Sequence, residues 1–90
     1  MTSASRTVRI VNKRGLHARA SAKFVTLASS QPIMVTVEKD GSSVTGTSIM
    51  GLMMLGAAMG DDVTIRAEGD GADAAVAALA ELVEARFGED

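Results

Sequence analysis

The sequence predicts an α+β fold: a two-layer open-faced sandwich in which a four-stranded antiparallel sheet is covered on one face by three helices, in the order β-α-β-β-α-β-α. Three observations point there. Four short segments alternate apolar and polar residues, the period of half-buried strands. Between and after them lie alanine-rich or apolar segments whose large side chains recur at helical spacing. The chain has 90 residues, enough for one domain with one core, so the strands must be covered by the helices.

Residues 1–5 are expected to be a flexible lead. From Arg6 to Asn12, charged or polar residues alternate with Val8 and Ile10 to give the first strand. Asn12-Lys13-Arg14-Gly15 interrupts it as a loop. From Ala18 to about Ser29 the chain is rich in alanine; Ala18, Ala22, Val25, Leu27 and Ala28 fall near helical spacing, with Phe24 as the large anchor. This first helix leaves His17 at or beside its N-cap, where backbone N–H groups lack partners within the helix.

Ser29-Ser30-Gln31-Pro32 ends that helix. Ile33, Val35 and Val37 alternate with Met34, Thr36 and Glu38 in a second strand, and Asp40-Gly41 is a hairpin signal leading into a third strand at Ser43–Thr45. The stretch from Thr47 to Gly56 opens with capping residues and predicts a short second helix with more apolar side chains than it can bury. Asp62–Glu68 alternates again as the fourth strand. Asp70-Gly71-Ala72-Asp73 caps a long third helix, along which Val76, Leu79, Val83 and Phe87 repeat every three or four residues until Gly88.

Composition narrows the function classes. Hydrophobic residues make up 47% of the chain but include only two phenylalanines, so Val, Ile, Leu, Ala and six methionines must fill the core. With no cysteine and one histidine, neither disulfides nor a thiolate or histidine-rich metal site is available, and no cofactor is expected. No targeting signal is visible, and no run approaches the roughly 20 apolar residues of a membrane span; the expected location is the cytoplasm. Net charge is −2, unevenly spread. Arg6, Arg9, Lys13, Arg14, Arg19 and Lys23 meet no acid in residues 1–30, which predicts a cationic face for anionic ligands or acidic partners. Nucleic acid is a poor fit, because that region lacks interleaved aromatics and the whole chain is acidic.

The stretch from Lys13 to Ser21 holds the only histidine, and no cysteine, tryptophan or tyrosine competes with it. Covalent chemistry at neutral pH therefore falls to His17. An imidazole, with an ordinary pKa near ~6.5, offers a neutral nucleophilic nitrogen there without extreme tuning.

Gly15-Leu16-His17-Ala18-Arg19, followed by Ala20-Ser21-Ala22-Lys23-Phe24-Val25, resembles the active-site signature of HPr, the histidine-containing phosphocarrier of the bacterial phosphotransferase system. A second block, Ser48-Ile49-Met50-Gly51-Leu52-Met53-Met54-Leu55-Gly56, resembles the segment around that family's regulatory serine. The resemblance spans residues 6–87. It implies that His17 accepts a phosphoryl group on Nδ1 from enzyme I, itself charged by phosphoenolpyruvate, and passes it to an enzyme IIA-type domain. Such a protein is a stoichiometric carrier rather than an enzyme. In that role the N–H groups of Ala18 and Arg19 and the helix dipole would bind the phosphoryl oxygens, with Arg19 adding a full charge.

Ser48, on its own residues, reads as a helix N-cap; the resemblance adds phosphorylation by an HPr kinase/phosphorylase. Ile49, Met50 and Met53 are expected to be partly exposed for docking, with Leu52 and Leu55 buried. Arg14, Arg19 and Lys23 would form a cationic rim, and Leu16 and Ala20 complete the docking set. Ala20 stands where the family commonly has proline. The helix needs no proline to begin, so phosphotransfer should survive, and the nitrogen-related regulatory branch becomes an alternative to sugar transport. A monomer is expected, since a carrier needs its site free. A different class of function would be a regulatory binding domain of the same fold, acting through the second helix with His17 never phosphorylated.

Overall fold

Strand alternation is cleanest at β4 (Asp62–Glu68), where Val63, Ile65 and Ala67 are buried while Asp62, Arg66 and Glu68 are exposed. This strand lies between β1 (Ser3–Arg9) and β2 (Val35–Lys39), and β3 (Ser42–Thr45) flanks β2. All pairings are antiparallel, giving the order β1-β4-β2-β3. The computed structural model describes residues 3–89. Three helices, α1 (Ala18–Ser29), α2 (Ile49–Met54) and α3 (Ala72–Glu84), cover one face of the sheet, as the sequence predicts. No helix among the described residues is long and apolar enough to cross a membrane.

The hairpin between β2 and β3 turns at Asp40 and Gly41, with φ of 50° and 84°. Two successive positive φ values are what a two-residue hairpin with native twist requires, and Asp-Gly supplies them cheaply. The core behind the sheet joins Val8, Ile10, Val35, Val37, Val63 and Ile65 to Phe24, Leu52, Leu79, Val83 and Phe87. Phe24 and Phe87 are each 1% exposed, and burying a side chain of that size stabilises the fold by about 1.5–3 kcal/mol.

Four expectations need correction. Ser3–Ser5 are not a flexible lead: they belong to β1 and pair with Glu68, Ala67 and Arg66, while Met1 and Thr2 lie outside the described residues. β1 also ends at Arg9 rather than Asn12, because the chain turns into the loop before His17 there. The buried stripe of α1 is Ala20, Ser21, Phe24 and Ala28; Ala18 is exposed. Residues 20, 24 and 28 follow the four-residue repeat of one helix face, and in an alanine-rich segment only Phe24 marks which face that is. Finally, Asp70 and Asp73 do not cap α3. Its N-cap is Gly71, at φ 88° with no side-chain bond, and Asp73 instead places a negative charge in the positive first turn.

The third helix also stops early. It ends at Glu84, and a short 3₁₀ turn, Arg86–Gly88, follows with Arg86 at φ 60° and Phe87 at φ 54°. Positive φ at two bulky residues costs of order 1–3 kcal/mol each. Burial of Phe87 and a hydrogen bond from Lys23 Nζ to the Phe87 carbonyl, 2.7 Å, offset that strain. This turn brings residues 87–89 back to the start of α1.

Candidate functional site

His17 is the N-cap of α1, with φ −73° and ψ 179°. Its carbonyl accepts the N–H of Ser21 at 2.9 Å, but its side chain makes no capping hydrogen bond. The first turn therefore opens with unsatisfied N–H groups at Ala18 and Arg19 and holds no acidic residue. The imidazole is 22% exposed and uses one nitrogen: Nε2 lies 2.5 Å from Glu89 Oε2. Nδ1 has no hydrogen-bond partner among the described residues.

Gly15 explains how the loop reaches this position. It sits at φ 65°, and a Cβ there would lie 2.4 Å from the Ala57 carbonyl oxygen and 2.9 Å from the Ala58 Cα. Only glycine fits a left-handed residue pressed against backbone. The next residue, Leu16, donates its N–H to the same Ala57 carbonyl at 3.0 Å. The histidine loop is thus fastened to the segment following α2.

Charge gathers for four of the six expected cations, while Arg6 and Arg9 lie on β1, where Arg9 pairs with Asp62. Lys13, Arg14, Arg19 and Lys23 line one depression together with Gly88 and Glu89. Arg14 and Arg19 are exposed and make no side-chain hydrogen bond among the described residues. The second helix, α2, packs against α1 and carries an apolar surface: Ile49 is 41% exposed, Met50 71%, Met53 43% and Met54 80%, whereas Leu52 and Leu55 are buried. Leu16 and Ala20 leave the surface set. They are 6% and 0% exposed, since Leu16 enters the core and Ala20 begins the buried stripe of α1.

Ser48 is the N-cap of α2, and its hydroxyl oxygen accepts the N–H of Gly51 at 2.9 Å. Its side chain is partly exposed at the edge of the methionine surface.

Two residues at the site escape sequence reading. Asn12, 1% exposed, donates through Nδ2 to the Gly15 carbonyl at 2.9 Å and to Glu89 Oε1 at 3.0 Å. Glu89 completes the contact to His17. The hydrogen bond from Asn12 holds the Glu89 carboxyl below its ordinary value; the hydrogen bond to His17 and the charges of His17 and Lys23 act the same way against partial desolvation. Glu89 is 72 positions from His17 along the chain, and no periodicity signals such a contact. Asn12 carried one weak sign, a polar residue immediately beyond an apolar alternation.

A single histidine at an uncapped helix start, near a basic depression and on a chain with an exposed methionine surface, is suited to take up an anionic group and to dock with other proteins. Comparison gives that class a family. The family described as "PTS HPr component phosphorylation site" matches residues 4–85. A phosphocarrier protein HPr of Neisseria meningitidis is 53% identical over 85 residues, 92% of this chain and 93% of its own. A phosphocarrier protein NPr of Shewanella violacea is 42% identical over 89 residues, 99% of this chain and 98% of its own. Among solved structures, HPr-C-His from Thermoanaerobacter tengcongensis superposes with a TM-score of 0.91 at 46% identity, covering 97% of this chain and 98% of that one. This chain belongs to the HPr family of phosphotransferase-system phosphocarriers.

Proposed function

We propose that His17 is the phosphoryl acceptor, taking its group from enzyme I and passing it to an enzyme IIA-type domain. The observation that carries this reading is the division of the imidazole: Nε2 is engaged by Glu89, Nδ1 has no hydrogen-bond partner among the described residues, and the ring belongs to the N-cap of α1, whose first N–H groups are open. In the transfer, the Nδ1 lone pair attacks phosphorus as the bond between phosphorus and its donor on enzyme I breaks. The donor leaves with that bond's electron pair. The phosphoryl oxygens are then met by the N–H groups of Ala18 and Arg19, the positive end of the helix and the Arg19 guanidinium. Phosphoryl transfer rests largely on such positioning and charge, so the carrier needs no further machinery. Delivery to the acceptor reverses the same steps.

The methionine surface of α2 and the rim of Arg14, Arg19 and Lys23 serve docking. Flexible, polarisable methionines suit a surface that must accept unlike partners in turn, and the cations steer acidic ones. Ser48 adds control: phosphorylated by a kinase/phosphorylase, it would place a dianion at the edge of that surface and repel acidic partners. The carrier acts in the cytoplasm as a monomer. Ala20 in place of the usual proline, together with relatives bearing both the HPr and NPr names, keeps sugar transport and nitrogen regulation as the two pathways it could serve.

The test is incubation with enzyme I and radiolabelled phosphoenolpyruvate. Acid-labile label on the parent, and none on His17→Ala, is the expected result; an unlabelled parent would overturn the reading.

A further inference from the structure

We infer that Glu89 is a positioning residue for the phosphoryl acceptor: its carboxylate, held by Asn12, fixes the proton of His17 on Nε2 and turns the ring so that Nδ1 is the nucleophile. The inference rests on the carrier function proposed above. A neutral imidazole has one N–H and one lone pair, and which nitrogen holds the proton is set by the hydrogen bond the ring makes. A carboxylate can only accept, so a carboxylate oxygen 2.5 Å from Nε2 requires the proton there. The nitrogen left with the lone pair is Nδ1.

The carboxylate is itself held in place. Asn12 reaches Glu89 Oε1 and the Gly15 carbonyl through the same Nδ2. Both partners are acceptors, which fixes the amide orientation, because the reversed amide would set oxygen against oxygen twice. The Asn12 side chain is buried and braces Glu89 against the very loop that carries His17. From the other side, Lys23 anchors the Phe87 carbonyl two residues before Glu89. One side chain on the histidine loop and one on α1 therefore both act to seat this glutamate.

The arrangement has a consequence during the reaction. When Nδ1 forms its bond to phosphorus while Nε2 keeps its proton, the ring becomes cationic, and a carboxylate on Nε2–H stabilises that charge where it develops. The same logic underlies a carboxylate that orients and supports a catalytic histidine without taking its proton. Glu89 touches the ring but not the transferred group, so it acts through His17.

Nitrogen-15 NMR of the imidazole, in unphosphorylated protein above neutral pH, tests this without any partner protein. The parent should show a single tautomer with Nε2 protonated and a downfield, slowly exchanging Nε2 proton. Glu89→Ala should lose that proton signal and bring the two nitrogens toward averaged shifts. Glu89→Gln has one carbonyl oxygen where Asn12 and His17 each require an acceptor, so it should fall between the two. In the enzyme I assay Glu89→Ala should be phosphorylated about ten- to a hundredfold more slowly, the range for loss of a residue that orients a reactive ligand, with its melting temperature close to the parent's. An unchanged Nε2 proton in Glu89→Ala, or averaged nitrogens in the parent, would overturn the inference even if His17 is phosphorylated. A rate equal to the parent's would overturn it too. A parent that enzyme I never labels would instead count against the carrier function, with the tautomer measurement standing on its own.

Discussion

α1 and α2 both begin at a residue able to cap a helix, and they use it in opposite ways. Ser48 turns its hydroxyl inward and satisfies the N–H of Gly51, so the start of α2 is closed. His17 makes no capping bond; its ring is held from outside by Glu89, and the N–H groups of the first turn of α1 stay open. A capped start contributes stability. An uncapped start, near cations and lacking any acid in its first turn, is suited to an anion that arrives later.

Exchanging the two residues for alanine sharpens that contrast most. His17→Ala should abolish phosphorylation by enzyme I, whereas Ser48→Ala should leave the labelling of His17 unchanged. Next in size is Gly15→Ala, which forces a left-handed conformation and a Cβ into the Ala57 carbonyl. Left-handed backbone costs roughly 1–2 kcal/mol and overpacking a similar amount or more, so denaturant unfolding should register a loss of about 2–4 kcal/mol. Ser48→Ala removes one cap and should cost about 1 kcal/mol in the same experiment.

The smallest effect concerns acid. The Glu89 carboxyl is held below the ordinary glutamate value of 4.5, chiefly by Asn12. A depressed folded value means the contact stabilises the protein above the unfolded pKa, and that contribution fades as pH falls through the lower folded value. The seat on His17 should thus persist at pH 5 and release only in more acid solution. Carbon-13 NMR of the Glu89 carboxyl should give a midpoint below 4.5, and Asn12→Ala should raise it more than His17→Ala does, since the Asn12 hydrogen bond is the largest cause. A midpoint at or above the ordinary value would contradict the geometry.

Local chemistry made much of this legible before any coordinates. Alternation located β4 at its observed bounds, Asp40-Gly41 announced its hairpin, and Gly15, His17 and Arg19 marked the candidate site. Legibility fell where the local signal was shared or weak. Ser3–Ser5 are small and polar, and only their pairing with residues 66–68 makes them a strand. Alanines fill α1 on several faces, so the local signal puts Ala18 on the apolar stripe and Ala20 on the docking surface, although Ala20 lies in the core and Ala18 is exposed. Phe87 continues the helical spacing of α3 yet sits in a left-handed turn beyond it. That turn carries Glu89 to His17, a contact made by tertiary structure alone. The proposed nucleophile could be read from the chain, but the carboxylate that contacts it could not.

The most direct test of a divided imidazole is phosphorus and nitrogen NMR on the protein phosphorylated by enzyme I. The account predicts phosphorus coupled to Nδ1 of His17, with Nε2 still protonated and its proton shifted downfield by Glu89. Phosphorus coupled to Nε2 would contradict it, because the Glu89 contact would then have to break before transfer rather than prepare it.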